Sequence, residues 1–240
     1  MDKIIKTLVF SVAVSVGCAD IYVFAKDDSE STKQSKQPIT EAEKLVRSML
    51  DDVRNIGASI TPKKSNGVVT EEATKVAKEE FKAKLKPIIL KTFATTSIAR
   101  RMLGITYVKQ LSEEELNAFV DACMNRMISL YSSQLYEYRK AVFDVVSVKK
   151  RGSEHYFVRT KIFKNAEKSE KDSIEIDWSI LVIKGEHLVS DVIVVDTKNN
   201  SEISMNQIQQ GVISDKIKKE KGIKKFLKDY VEENKSSTKK

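Results

Sequence analysis

Residues 173–183 read "SIEIDWSILVI", and Ile174, Ile176, Trp178, Ile180 and Val182 fall on every second position. Strict alternation places those five side chains on one face of a strand. Working outward, segments 141–150, 154–164, 173–184 and 187–196 all read as strands. They are joined by Arg151-Gly152, by "NAEKSEKD" and by Gly185-Glu186. Connections this short make neighbouring strands antiparallel, so the four segments form a meander with one oily face.

Helices flank the meander. Thr40 with Glu43 forms a capping box, and Ala42, Leu45, Val46, Met49, Val53 and Ile56 repeat at helical spacing until Gly57. The stretch "TPKKSNG", 61–67, reads as a loop. Thr70 opens a second helix with the stripe Ala73, Val76, Ala77, Phe81 and Leu85, and Pro87 should kink or split it. A short helix over 96–103 stops at Gly104. Ser112 and Glu115 form another capping box, followed by Leu116, Phe119, Val120, Cys123, Met127, Leu130, Tyr131, Gln134 and Tyr138 along one face. Residues 203–233 are helical again, broken at Gly222. The predicted class is α+β: N-terminal helices, a four-stranded antiparallel meander, then C-terminal helices.

The chain has 240 residues, 41% hydrophobic and 32% charged, with a net charge of +8, which suits one large domain or two small ones. The basic excess concentrates at the C-terminus, where residues 215–240 hold ten lysines against five acids. The run "KIKKEKGIKKFLK" lacks interleaved aromatics and arginine forks, which argues against specific nucleic-acid readout. It reads as a solvated helix face, or as a docking surface for an anionic membrane or an acidic partner.

The N-terminus reads as an export signal. Lys3 and Lys6 precede the apolar run "TLVFSVAVSVG", 7–17, which is about half the length that spans a bilayer. "VFA", 23–25, supplies a cleavage site after Ala25, giving a signal peptide over 1–25, and "SVGC" offers the rival of lipidation at Cys18. Residues 26–38 then read as a disordered linker, 39–233 as one folded domain and 234–240 as a disordered basic tail. After cleavage Cys123 is the only cysteine, so no internal disulfide forms, and its place on an apolar helix face marks an inert core thiol.

The sequence offers little chemistry. His155 and His187 sit beside turns and read as solvated, and no spacing of ligands suggests a metal. No phosphate-binding glycine loop and no nucleophile elbow occur. Asp177 alternates with the apolar positions and should point outward. Asp191 has apolar odd-numbered neighbours, Val189, Ile193 and Val195, which could bring it inside as a general base. That gives an alternative reading, a small-molecule enzyme in a cone-shaped α+β fold. A third reading is a basic adaptor with a filled core.

The stretch "SIARRMLGITYVKQLSEEELNAFVDACMNRMISLYSSQLYEY", 97–138, resembles the central signature of the MlaC family, periplasmic phospholipid-binding proteins also known as toluene-tolerance auxiliary components of an ABC transport system. Ile98-Ala99-Arg100, Leu103-Gly104, Phe119, Tyr131, Leu135 and Tyr138 fall on its pattern, and Tyr107 stands where the family usually has Trp. "FVRTKI", "IEIDWSIL", "SDVIVVD", "ISMNQIQ" and "KGIKKFL" resemble its later segments. Three features depart from it. "KGEHLVSDV" lacks the usual Trp, Asp196 replaces a Gly, and "TKNNSE" adds about half a dozen residues.

The resemblance implies an apolar cavity that takes phospholipid acyl chains, with no catalytic residues and no cofactor. It implies a monomeric periplasmic carrier moving phospholipid between an outer-membrane lipoprotein complex and an inner-membrane ABC transporter complex. The expected lining is Met102, Leu103, Phe119, Met127, Tyr131, Tyr156, Val158, Ile162, Ile174, Ile176, Trp178 and Ile180. Periodicity alone leaves open which of these line a cavity and which pack a core. Arg100 and Arg101 suit either a headgroup or surface ion pairs.

Overall fold

The structure, a computed structural model, describes residues 39–164, 166–169, 173–196, 199 and 201–235. The expected signal peptide over 1–25, Cys18, the linker over 26–38 and the tail beyond Lys235 lie outside the described residues.

The chain divides into two compact units, where the sequence reads as one domain. The first combines residues up to Asp52 with Ala141–Met205, and the second combines Val53–Lys140 with residues from Asn206 on. Helix α1 (Glu41–Ser59) begins in the first and ends in the second. Half of the expected capping box forms at its start, the Glu43 amide donating to Thr40 Oγ1 at 3.1 Å, while the Glu43 carboxylate accepts from Arg47 Nε at 2.8 Å.

The first unit is built on a five-stranded antiparallel sheet in the order β3-β4-β5-β6-β7. The strands are β3 (Val142–Lys150), β4 (His155–Phe163), β5 (Ser173–Ile183), β6 (Glu186–Asp196) and β7 (Ser201–Ser204). The expectation of four strands is therefore corrected to five. The added β7 pairs with β6 from Ile193↔Ser204 to Asp196↔Ser201. Asp196 shapes the bend between them, accepting from the Asn199 amide at 3.2 Å and from Asn199 Nδ2 at 2.8 Å. The β5–β6 turn is Lys184-Gly185, one residue earlier than expected, and both residues have positive φ as a type I′ hairpin requires. On the edge strand β3 a register shift between Val145 and Ser147 leaves Val146 exposed, a bulge of the kind that discourages edge-to-edge pairing.

The second unit is helical: α2 (Glu71–Thr92), α3 (Thr95–Leu103), α4 (Ile105–Val108), α5 (Glu113–Glu137), α6 (Met205–Lys219) and α7 (Ile223–Glu233), with Met205 itself belonging to the first unit. The segment expected to be a plain loop contains a short hairpin, β1 (Lys64–Ser65) paired with β2 (Val68–Val69). Asn66 and Gly67, both at positive φ, make its turn. Helix α2 runs unbroken through Pro87, so the expected split is absent. Phe81 and Leu85 before the proline are buried, and Ile89 after it packs on the same cluster, so tertiary contacts hold the helix together across the missing hydrogen bond. Helix α1 likewise runs two residues past Gly57. A Cβ on Gly57 would stand 2.5 Å from Arg139 Cβ, so the glycine serves close approach, not termination. Ser112 and Glu115 close a reciprocal capping box at the start of α5, at 3.2 and 2.8 Å.

Candidate functional site

The register of the sheet decides which side chains share a face, because directly opposed residues point the same way. Tyr156 lies opposite Ile180, Val158 opposite Trp178, Thr160 opposite Ile176 and Ile162 opposite Ile174. Across β5, Val194, Val192 and Val189 lie opposite Ile176, Trp178 and Ile180. All seven candidate residues on the sheet therefore occupy one face. Phe143, Val145 and Val148 on β3 extend it, opposite Ile162, Thr160 and Val158. The sequence reading left these six flanking residues off the wall, because bulges on β3 and β6 break the alternation that would have joined them.

This face is apolar along its centre apart from Thr160, and Asp196 and Ser201, two positions beyond Val194 and Ile203, make its β6–β7 end polar. Thr160 is fully buried, and its hydroxyl accepts from Trp178 Nε1 at 2.9 Å. The indole N–H is thereby satisfied, and Trp178 offers its ring to the face without an orphaned donor. The hairpin end of the stripe is more open and more polar. There the half-buried Tyr156 ring lies 5.6 Å from the His187 ring and 5.4 Å from Lys150 Nζ.

The opposite face of the sheet is mixed, with polar groups set among Phe157, Phe163, Leu181, Ile193 and Val195. Arg159 donates to both carboxylate oxygens of Asp177, at 2.6 and 2.5 Å, and Glu202 Oε1 lies 3.4 Å from the same guanidinium. The Asp177 hydrogen bond raises the Arg159 pKa further. Asp177 thus leaves the apolar face as expected, but it is buried, not solvated. His155 Nε2 lies 2.8 Å from Ser179 Oγ, which lies 2.8 Å from Ser190 Oγ. Both histidines are half-buried in ring contacts, His155 on Phe157 at 4.5 Å, so neither is the solvated turn residue expected.

Asp191 sits on this second face too, opposite Ser179. Its Oδ2 accepts from Ser204 Oγ at 2.6 Å and its Oδ1 from the Val192 amide at 2.8 Å. The expectation that apolar neighbours turn it inward among the stripe is overturned by a bulge. The register slips between Ser179 and Ile180, so Ser190 is an extra residue and Val189 joins the stripe while Asp191 does not. Among the described residues, no three His, Cys, Asp or Glu side chains gather in a way that could hold a metal ion.

In the helical unit the candidates separate. Met102 and Leu103 of α3 and Phe119 of α5 are buried in one cluster with Ile213 of α6 and Phe226 and Tyr230 of α7. The Phe119 ring lies 5.4 Å from Tyr230 and 6.4 Å from Phe226. Along α5 the row Phe119, Cys123, Met127, Tyr131 runs at four-residue spacing from full burial to half exposure. Met127 packs against the cluster, and Tyr131 accepts at its hydroxyl from Gln209 Nε2 at 3.2 Å. Burial pushes the Tyr131 hydroxyl up to about 12.

Cys123 in the same row is a core thiol. Its Sγ stands 3.5 Å from Met102 Sδ, and burial pushes its pKa up to about 12. The thiolate is the reactive form. Maleimide at neutral pH should therefore leave the Cys123 peptide unlabelled in native protein and label it fully in denaturant, read by peptide mass mapping. Native labelling at a rate near that of a free thiol would contradict this environment.

The sequence model of the MlaC protein family matches residues 63–230, from the β1–β2 hairpin into α7. The chain belongs to the MlaC family. The matched region includes both the sheet stripe and the α5 row. The structure is similar to that of the phospholipid-binding protein from Ralstonia solanacearum, determined in complex with a phospholipid at 1.53 Å resolution. The TM-score is 0.62 at 13% identity, covering 81% of this chain and 97% of that chain. At that identity the similarity is one of fold. No curated protein matches the sequence. MlaC-family membership rests on the sequence match.

Proposed function

We propose that this MlaC-family protein is a periplasmic phospholipid carrier. It works by burying acyl chains, without chemistry of its own, and shuttles lipid between an outer-membrane lipoprotein complex and an inner-membrane ABC transporter complex. The observation that carries the reading is the continuous apolar face of the sheet, with Ile174, Ile176, Trp178 and Ile180 at its centre. An apolar cavity walled by that face holds the acyl chains, and the polar groups at the Tyr156–His187 end suit the headgroup side. The similarly folded Ralstonia protein, seen with a phospholipid, supports the ligand class. The signal-like segment over 1–25 supports export.

Burial explains why such a carrier is needed. Each methylene is worth about 0.8 kcal/mol, so two chains of about fifteen carbons cost more than about 20 kcal/mol to bring into water. A lining of aliphatic side chains replaces that burial while tolerating varied chains. The test is organic extraction of the purified protein and mass analysis of the extract. About one phospholipid per chain is expected. Well-folded protein yielding none, even after incubation with phospholipid vesicles, would overturn the proposal.

A further inference from the structure

Between Glu80 and Glu113 the chain contains seven lysines and arginines and no acidic residue. Within that stretch the link from α3 to α5 is built unusually. The one-turn helix α4 packs Tyr107 and Val108 against the helical core, and Leu111 follows them in. That anchoring turns Ile105 outward, and it is 74% exposed, more than any other large hydrophobic side chain among the described residues. Arg100 and Arg101, in the last turn of α3, and Lys109, at the end of α4, are exposed as well. The Lys109 amide donates to the Ile105 carbonyl at 3.2 Å, so Ile105 and Lys109 project from the same side of that turn. Thr106 and Gln110, the other exposed side chains here, are uncharged.

The three cations make no ion pair among the described residues. Elsewhere on this unit exposed lysines pair readily, Lys84 with Glu80 at 2.9 Å and Lys224 with Glu115 at 2.6 Å. An isolated exposed aliphatic side chain needs no explanation. One framed by three unopposed cations in an acid-free stretch has the make-up of an interfacial anchor. The cations attract anionic headgroups and the aliphatic side chain enters the layer beneath them. An acidic protein would satisfy the cations too, but it would need a pocket matched to the single isoleucine, whereas a bilayer offers an apolar layer beneath its headgroups everywhere.

We propose that the α3–α5 link, through Arg100, Arg101, Ile105 and Lys109, docks this protein on the surface of an anionic phospholipid bilayer. The inference goes beyond the carrier reading, because surface docking does not depend on lipid held inside. Contact through three charges and one side chain is weak and falls steeply with salt, which suits a protein that must leave again.

The test is co-sedimentation of the full chain with vesicles rich in phosphatidylglycerol, against vesicles of phosphatidylcholine alone. Each cation near an anionic surface contributes about fivefold in binding, so Arg100→Gln with Arg101→Gln should weaken the phosphatidylglycerol interaction about thirtyfold. Ile105→Ser should weaken it about fivefold. The control pair Lys225→Gln with Lys228→Gln, on exposed positions of α7, removes the same charge and should cost less than about threefold. All these side chains are exposed, so thermal midpoints should stay unchanged. Wild-type protein with no preference for anionic vesicles would overturn the proposal. So would a control pair that loses as much as the arginine pair, which would reduce the effect to net charge. Lipid extraction of the same preparations separates this outcome from the carrier reading, since either can fail with the other intact.

Discussion

Replacing Phe119 with alanine should lower the unfolding free energy by about 3–5 kcal/mol, the range for deleting a buried aromatic side chain. The ring has no exposed surface and sits among Met102, Phe226 and Tyr230, with the Phe226 and Tyr230 rings themselves 5.0 Å apart. The three rings sit at tilted angles, and removing Phe119 takes both its transfer free energy and its ring contacts. Phe119 belongs to a buried cluster that draws residues from α3, α5, α6 and α7, so the cavity left behind is walled by several helices. Met127→Ala, eight residues further along the same row and half-buried, should cost less than about 2 kcal/mol. Urea unfolding of the two variants checks both values. The comparison also separates core from ligand surface. A core Phe119 loses stability and leaves the yield of bound phospholipid unchanged. A Phe119 that touches lipid would lose lipid at little cost in stability, and that result would contradict the packing described here.

The distinction between core and wall is where sequence reading ran out. The strands from 141 to 196 were legible because alternation is a strong signal when one face is buried. Strand β7 was not, because "SEIS" contains a single apolar residue, Ile203, and its strand character comes from pairing with Val194. The β1–β2 hairpin had a readable marker, Asn66-Gly67, but Lys64, Val68 and Val69 are exposed and give no alternation around it. The orientation of Asp191 failed for a different reason. Parity counts assume an unbroken ladder, and the extra Ser190 exchanges the faces of everything on one side of it. Counting back from Val194 and Val192 would have placed Val189 outside, opposite to where it lies. Helical spacing found the first half of the α5 row, Leu116 to Cys123, but passed over Met124, Ile128 and Tyr136, which are more deeply buried than Met127, Leu130 and Tyr131, and a 3.6-residue period reports only that a face is covered. Whether the cover is Phe226 and Tyr230 or an acyl chain is a property of residues more than a hundred positions away.

The two faces of the sheet also divide its tasks. Polar pairs on the face away from the stripe fix register, since the Arg159–Asp177 pair and the Ser204–Asp191 bond each join one strand to another at a defined position. Slipping β4 by one residue against β5 would break the first and turn Val158 and Ile162 off the stripe. The apolar face can then be made of interchangeable aliphatic residues, because its alignment does not depend on their shape.

Loading the protein with a phospholipid whose acyl chains carry bromine should quench most of its tryptophan emission. Trp178 is the only tryptophan in the chain, so the signal reports a single place on the stripe. Bromine quenches only near contact with the ring. Trp178 is 7% exposed and its N–H is tied to Thr160, so the ring is held in the plane of the apolar face and is not free to swing into solvent. Chains lying along Ile174, Ile176 and Ile180 must pass it. Ile176→Asp puts a carboxylate on the same face, beside Thr160 and Val194, where burial disfavours its charge and a hydrocarbon chain cannot solvate it. That variant should bind at least about tenfold less brominated lipid and keep its emission, if circular dichroism shows the sheet intact. Should it fail to fold, Ile176→Thr supplies a smaller polar change with the same expected direction. Brominated lipid that co-purifies with the wild-type protein yet leaves Trp178 emission undiminished would place the acyl chains away from this face, and the stripe would then be core.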